Sequence, residues 1–459
     1  MEFPAPVSSI EGIGRTRPKP SLGKRLGQFG AMYDANRRFG VRSGILLGRL
    51  FFAASVILME ADGAAEATAA DGNKEVAVRA CNALAARVDS ISRDSAVFLR
   101  SFDAKEGGPI EEPSMATTAF VYDNALATIA LVACNRDRQA ERVGAALLAA
   151  VNSATGIDAR LYNAYAAGAV KGTPQANGWW SKEQNRWLQD GYQMSTATGN
   201  VAWTMLAFLT LSDRTNDPRW CEGARKLGRW AIKNAHSTTG IGFNGGVYGF
   251  DGHLSALTWK STEHNVDLAA AFTWLARCDS SGDWERYAIE ARDFVGTQWE
   301  PADGHFLVGT MPDGTTPNRS TSALDIQFWA LLISETPPQW RRSLAYAEHV
   351  HGVKDGFSFN SDRDGVWIEG TAQGALTYRV LGRGRDAARL LENLSNDFAP
   401  SGLLYATRQG ELRTGLAVSP TSATDDFHYY HWPHVGATAW TALAAKGWNP
   451  FRSKSPPSP

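Results

Sequence analysis

The chain has 459 residues and a formal charge of −1, with Lys and Arg spread along it in no basic stripe or run, which argues against a nucleic-acid partner. Length alone would allow two or three domains. Trp is abundant at 16 residues, and many of these stand in loops or at helix ends, where an indole face suits either core packing or the C–H face of a sugar ring.

Residues 1–70 stand apart from the rest. Met1–Ser43 is rich in Pro, Gly, Ser and basic residues, the composition of a disordered segment. Gly44–Met59 is apolar except for Arg49; Arg37, Arg38 and Arg42 precede it, and Gly63, Ala64, Ala65 and Ala67 follow. Basic, apolar, then small is the order of a secretory signal, with Met32 as a candidate start. Export to the periplasm or medium is therefore expected. A membrane anchor over 44–59 is the alternative, but Arg49 and only about 15 apolar positions disfavour a stable span.

From 71 to 450 a pair of stretches recurs. Amphipathic Asn73–Leu99 leads to apolar Phe120–Ala133, and Arg136–Val151 to Asn200–Leu211. Asp217–Asn234 leads to Glu263–Ala276, and Gly282–Trp299 to Ala323–Ile333. Pro337–Val350 leads to Ile368–Leu381, and Gly382–Asp397 to Val435–Ala445. A helix apolar all round must be buried, whereas an amphipathic one covers a core with one face. Six of each, strictly alternating, predict an all-α fold, an (α/α)6 toroid closed as one domain. Little sheet is expected beyond short hairpins near Gly240–His253 and Gly304–Thr310, and 451–459 reads as a disordered tail.

The four cysteines follow the repeat. Cys81 and Cys221 lie early in amphipathic helices, and Cys134 and Cys278 just past the ends of the apolar helices that come next. In an antiparallel hairpin those places adjoin, so Cys81–Cys134 and Cys221–Cys278 should pair, in keeping with export; sequence alone allows three connectivities.

The apolar helices run parallel, so their N-termini share one rim, where free N–H groups and partial positive charge collect. Polar and aromatic residues stand there on helices otherwise almost free of charge. They are Tyr122 and Asp123; Asp190, Tyr192 and Asn200; Glu263, His264 and Asp267; Asp325; and Glu369. Before the last helix come Asp425, Asp426, His428, His431, Trp432 and His434. Any one carboxylate could be an ordinary helix cap. The set as a whole suits glycoside hydrolysis, which needs one carboxylic acid to protonate the leaving oxygen and a second carboxylate as base or nucleophile. Tyr122, Trp179, Trp180, Asp190, Tyr192, Asn200, His264, Asp267, Asp325, His431 and Trp432 are the expected substrate contacts. No cofactor is expected. No metal is expected either, since a His pair at helical i,i+4 spacing is absent.

Phe-Val-Tyr-Asp-Asn-Ala-Leu (Phe120–Leu126), Ser-Thr-Glu-His-Asn-Val-Asp-Leu (Ser261–Leu268) and Glu-Gly-Thr-Ala-Gln (Glu369–Gln373), together with the repeat over about 73 to 448, resemble bacterial six-hairpin glycosidase-type proteins. The resemblance implies a hydrolase acting on a poly- or oligosaccharide, here expected as a monomer. By position in glucoamylase-like toroids it implies Glu263 as acid and Asp425 or Asp426 as base, with Asp123 and Glu369 as rivals for either role. Similar toroids also host polysaccharide lyases and sugar epimerases, which move protons with His or Tyr. A non-catalytic glycan-binding protein of an envelope polysaccharide system is the third reading.

Overall fold

In a computed structural model the described residues are 73–92, 94–103, 112–154, 159–420 and 422–453, without the side chains of Val418 and residues 422–425. The signal-like or anchor segment 44–59 and the candidate start Met32 lie outside them. Among the described residues no helix is long and apolar enough to cross a membrane.

The helices form two concentric rings. The outer ring comprises α1 (73–89), α3 (Asp137–Ser153), α5 (Pro218–Asn234), α7 (Trp284–Thr297), α9 (Arg342–Tyr346) and α11 (Gly384–Leu394). The inner ring comprises α2 (Val121–Ala133), α4 (Thr198–Thr215), α6 (Thr262–Cys278), α8 (Leu324–Trp329), α10 (Ile368–Val380) and α12 (Val435–Lys446). Each inner helix packs on the next, and α12 closes back on α2. The chain is an (α/α)6 toroid.

Sequence dictates which helix goes where. In α2 every residue but Tyr122 is buried, as its lack of charge beyond Asp123 requires. In α11 only Ala387, Leu390, Leu391 and Leu394 are buried, a single stripe at helical spacing. Five inner helices also carry a polar side chain at their fourth position that clamps the backbone of a preceding segment. Asn124 holds both Leu99 N (2.8 Å) and O (3.1 Å), and Asn265 holds Phe243 N (2.8 Å) and O (3.0 Å). Gln327 does the same for Phe306, at 2.9 Å to each atom. Thr371 accepts from Phe357 N at 3.0 Å, and Thr438 from Leu404 N at 2.9 Å. These bonds satisfy buried backbone groups and fix the loops on the N-terminal rim.

Helical periodicity then aims two layers of side chains at the axis. The second residues of the six inner helices are Tyr122, Gly199, Glu263, Asp325, Glu369 and Gly436. Four residues on, one turn deeper, stand Leu126, Trp203, Asp267, Trp329, Gln373 and Trp440. Trp203, Trp329 and Trp440 pack with ring centroids 5.3–5.7 Å apart, and Phe451 closes on them from 5.2 to 6.4 Å. The axis is plugged by aromatic rings beneath a polar rim.

Several boundaries differ from expectation. The helix expected to reach Leu99 stops at 89, and Ala96–Phe98 instead pairs as a strand with Gly168–Val170. The fourth inner helix is six residues long rather than reaching Ile333. The outer helix after it changes pitch along its length, from a 3₁₀ turn at Pro338–Arg341 through α9 to a π turn at Ala347–His351. Beyond the expected short hairpins there is a long one, Glu411–Ser419 with Ser422–Tyr430. The packed domain runs past the expected limit at 450: Phe451 is buried, and Arg452 donates to the carbonyls of Leu332 and Ile333 at 2.9 and 2.6 Å.

Both disulfides form as paired above. The Cα atoms of Cys81 and Cys134 are 5.7 Å apart, and those of Cys221 and Cys278 6.2 Å. Each closes a loop of more than fifty residues (53 and 57), so its loss should cost about 2–4 kcal/mol through the freer unfolded chain. Replacing Cys221 and Cys278 by Ser should lower Tm by several degrees in a thermal melt; an unchanged Tm would show that the bridge contributes nothing to stability.

Candidate active site

The polar rim residues converge on a cluster of five carboxylates and one histidine. Glu263, Asp325 and Glu369 come from the second positions of consecutive inner helices α6, α8 and α10. Asp123 stands on α2, and Asp267 one turn beneath Glu263. All except Glu263 are at least 96 % buried, whereas Glu263 is partly exposed at the mouth.

His434 organises one side. It caps α12: its Nδ1 accepts from Ala437 N at 3.2 Å, so the proton sits on Nε2, which lies 3.2 Å from Asp123 Oδ1. Nδ1 is also 3.8 Å from Glu369 Oε2, and Phe102 stacks on the imidazole at 4.4 Å. Burial alone would lower the His434 pKa, but Asp123 and Glu369 outweigh it and the net shift is upward. Glu369 accepts from the Tyr122 hydroxyl at 2.5 Å, and that oxygen accepts from Trp440 Nε1 at 2.9 Å, so the plug braces the carboxylate.

Glycines at the second positions of α4 and α12 leave room on the rim, and that of α12 for the cluster itself. A Cβ on Gly436 would stand 2.6 Å from Asp123 Oδ1, 2.8 Å from His434 Cε1 and 3.0 Å from Glu369 Oε2. A Cβ on Gly199 would meet His264 Cδ2 at 2.5 Å. Gly436→Ala should therefore spread Asp123, His434 and Glu369 and cost about 1–3 kcal/mol. A normal melting curve with full activity would show that the spacing of these three groups is not critical.

The electrostatics favour neutral carboxyls. Burial pushes Glu263 well above its ordinary value, with Asp325 and then Glu369 adding to it. Asp267 is raised likewise by burial, Glu263 and Asp325, with only the Trp203 indole N–H pulling the other way. Asp325 rises to about 7 through burial, held back by the N–H of Ile326 at 2.7 Å. Glu369 rises to about 7 through burial, which the pull of His434 and Tyr122 only partly offsets. His264 falls to about 4 because burial penalises its cation. Tyr192 and Tyr429 are half-buried rings whose hydroxyls are pushed up by burial and by this cluster, Tyr192 by Glu263 and Asp123, Tyr429 by Glu369, Asp123, Asp325 and Glu263. Both are therefore hydrogen-bond donors at the cleft at neutral pH. Phe427 lies between them, 6.4 Å from Tyr192 and 5.2 Å from Tyr429.

The structure thus brings together Tyr122, Asp123, Tyr192, Glu263, Asp267, Asp325 and Glu369, while His264 packs beside them against Gly199 and Trp259. It does not bring in Asp426. That residue accepts from Thr414 Oγ1 (2.8 Å) and Leu416 N (3.2 Å) and lies 3.7 Å from His428, tying the long hairpin together on the strand face opposite Phe427 and Tyr429. The side chain of Asp425 lies outside the described residues. Asn200 binds Asn163 Oδ1 at 2.8 Å, and Asp190 caps the turn Gly191–Met194 by accepting from Gln193 N; both shape the rim. Trp432 is buried between Phe102 and Tyr430 and offers no free platform. His431 lines a separate cleft. Trp179 is half-buried, whereas Trp180 and its cross-strand neighbour Trp187 are exposed on one rim hairpin. Gly436 was not expected at the site; His434 was expected on the rim without a role of its own, and Tyr429 only as a proton-transfer group of the lyase or epimerase reading. The signal for His434 was its place as the last residue before an inner helix. Among the described residues no three His, Cys, Asp or Glu side chains are arranged to hold a metal ion.

No protein-family model matches the chain, and no curated protein matches it in sequence. Solved structures do match in fold. A wild-type glycosidase superposes with a TM-score of 0.55 at 12% identity, over 83% of this chain and 98% of that one. A family GH76 α-mannanase from Bacteroides thetaiotaomicron gives 0.52 at 10%, over 81% and 96%. A sugar epimerase from a ruminal bacterium gives 0.53 at 10%, over 81% and 98%. At these identities the likeness is one of fold, and it places the chain among the six-hairpin toroids.

Proposed function

We propose that the protein is a glycoside hydrolase acting on a poly- or oligosaccharide, with Glu263 as general acid. One observation carries this reading: Glu263 is the carboxylate of the cluster that is partly exposed at the mouth, and burial with its acidic neighbours favours its protonated form. A proton donor to a glycosidic oxygen needs both properties. Asp123 is the counterpart, a carboxylate oriented by the Nε2 proton of His434, suited to act as base or nucleophile. Asp325 and Glu369 raise the acid's pKa, Tyr192 and Tyr429 supply donors and ring faces to the sugar, and Trp180 and Trp187 offer exposed faces further out. The fold shared with a glycosidase and an α-mannanase supports the reading.

A lyase or epimerase remains the second reading, favoured by His264, an imidazole kept neutral beside Glu263, and by the fold shared with a sugar epimerase. Against a lyase, no Arg or Lys among the described residues contributes to the pKa shifts of Glu263, Asp267, Asp325 or Glu369; the one cationic influence there is His434, which Asp123 and Glu369 already engage. The two disulfides accord with export, which we also propose. The test is product analysis on a panel of neutral and uronate polysaccharides. Hydrolysis releases new reducing ends without an ultraviolet chromophore; an unsaturated sugar, or an epimer with no bond cleaved, would sink the hydrolase assignment.

A further inference from the structure

A second cleft opens on the same rim, apart from the carboxylate cluster. It measures about 410 Å³ and is lined by Asn393, Asn396, Asp397, Tyr405, Arg408 and His431, among others. That lies within the range of small-molecule sites, roughly 300–1,000 Å³. We propose that this cleft is an accessory carbohydrate site that holds a neutral sugar unit of the glycan outside the carboxylate pocket. The proposal rests on the glycan-acting reading above and extends it to a substrate longer than the central pocket can hold.

Its chemistry is that of a sugar site. One wall is a stacked ring pair: Tyr405 and His431 lie 3.9 Å apart at 15°. Such a pair presents a flat, rigid face to the C–H side of a pyranose. His431 Nδ1 is 2.6 Å from the Thr407 carbonyl and must donate to it, which leaves Nε2 for a hydrogen bond to a sugar hydroxyl. The floor is Arg408, fixed by both oxygens of buried Asp397 at 2.8 and 2.5 Å, with Asp355 3.9 Å away. Its charge is thereby matched, so the cleft has no surplus cation for an anionic ligand. The guanidinium, held rigid, is still a planar donor with more N–H groups than Asp397 uses. Asn393 donates to the Asp355 carbonyl (3.2 Å) and Asn396 to the Asn393 carbonyl (3.4 Å), and each amide keeps its own carbonyl to accept from sugar hydroxyls.

The cleft adjoins the reacting groups through the backbone. Tyr405 pairs with Pro433 and Leu404 with His434 in one antiparallel ladder. His431 and His434 thus flank a single turn, one facing a role in each site, and a glycan chain bound at one reaches towards the other along this ridge.

The test is binding of the Glu263→Gln protein to an array of neutral and uronate oligosaccharides. Neutral oligosaccharides should bind, and Tyr405→Ala in the same background should weaken them by about tenfold or more. Asn396 is exposed at the lip, so Asn396→Arg should block the cleft with an unchanged melting temperature, and it controls for misfolding of Tyr405→Ala. Suppose both variants abolish binding while the wild type cleaves nothing on the array. The accessory site then stands and the hydrolase reading falls. A blank array, or glycans that bind both variants as tightly as Glu263→Gln alone, overturns the proposal.

Discussion

Glu263→Gln should reduce turnover of the glycan that the wild type cleaves by about 10²–10⁴-fold and leave its Kd almost unchanged. Gln keeps the length, shape and hydrogen bonding of the side chain but has no acidic proton to give. Its neighbours make the effect specific. Asp325 and Glu369 raise the Glu263 pKa because two ionised carboxylates cannot share so small a space, and burial adds the larger part. An acid that held its proton for other reasons would survive the loss of either neighbour. Here Asp325→Asn should shift the basic limb of the pH–rate profile downward, since one source of repulsion is gone. Asp123→Asn should cut turnover as severely as Glu263→Gln, because the base or nucleophile is lost, yet leave that basic limb in place. If Glu263→Gln keeps near-full activity while His264→Ala or Tyr429→Phe abolishes it, proton abstraction by a lyase or epimerase replaces hydrolysis.

How much of this could be read from the chain follows from where charge is rare. Inner helices were legible because a buried helix tolerates almost no charge, so Asp123, Glu263, Asp267, Asp325 and Glu369 stood out against Ala, Leu and aromatic neighbours. α8 and α9 were misjudged in length because a short inner helix still buries Leu331, Leu332 and Ile333 in the turns beyond it. The hairpin at Glu411–Tyr430 was not legible, since its register is irregular between Arg413 and Ser419 and alternation fails there. That failure misled the site as well. Without the strand, Asp426, His431 and Trp432 looked like one cluster with His434. In the structure Asp426 braces the hairpin, Trp432 is buried, His431 serves a different cleft, and only His434 meets the carboxylates. Composition marked the region, but backbone parity, which sequence did not reveal, decided which side chain faces which way.

The protein should be most stable below neutral pH, and the double variant Asp325→Asn/Glu369→Gln should move that optimum upward. The sign follows from proton counts. Asp325 and Glu369 have ordinary values of 3.8 and 4.5 and sit at about 7 in the folded chain. Between pH ~4 and ~7 the native state therefore binds more protons than the unfolded state, and stability falls as pH rises through that window. Glu263 and Asp267, also raised by burial, act in the same direction, and so does His434 above its ordinary value. His264 and His351 oppose them: both drop from 6.5 to about 4 through burial, so they favour the native state as pH rises from about 4 to 6.5. More groups pull one way than the other, and the net slope is negative. Asn at 325 can still accept from Ile326 N–H, and Gln at 369 from the Tyr122 hydroxyl, so the variant removes ionisation more than structure. At about 1.36 kcal/mol per pKa unit, its gain at pH 7.5 is bounded at roughly 8 kcal/mol and should amount to several. At pH 4.5 wild type and variant should differ far less than at pH 7.5, since both carboxyls are then protonated in the native wild type. Denaturant melts at the two pH values decide it: a variant that gains no more at pH 7.5 than at pH 4.5 would mean that these carboxyls are ionised in the native cleft, and the protonated state assigned to Glu263 beside them would lose its physical basis.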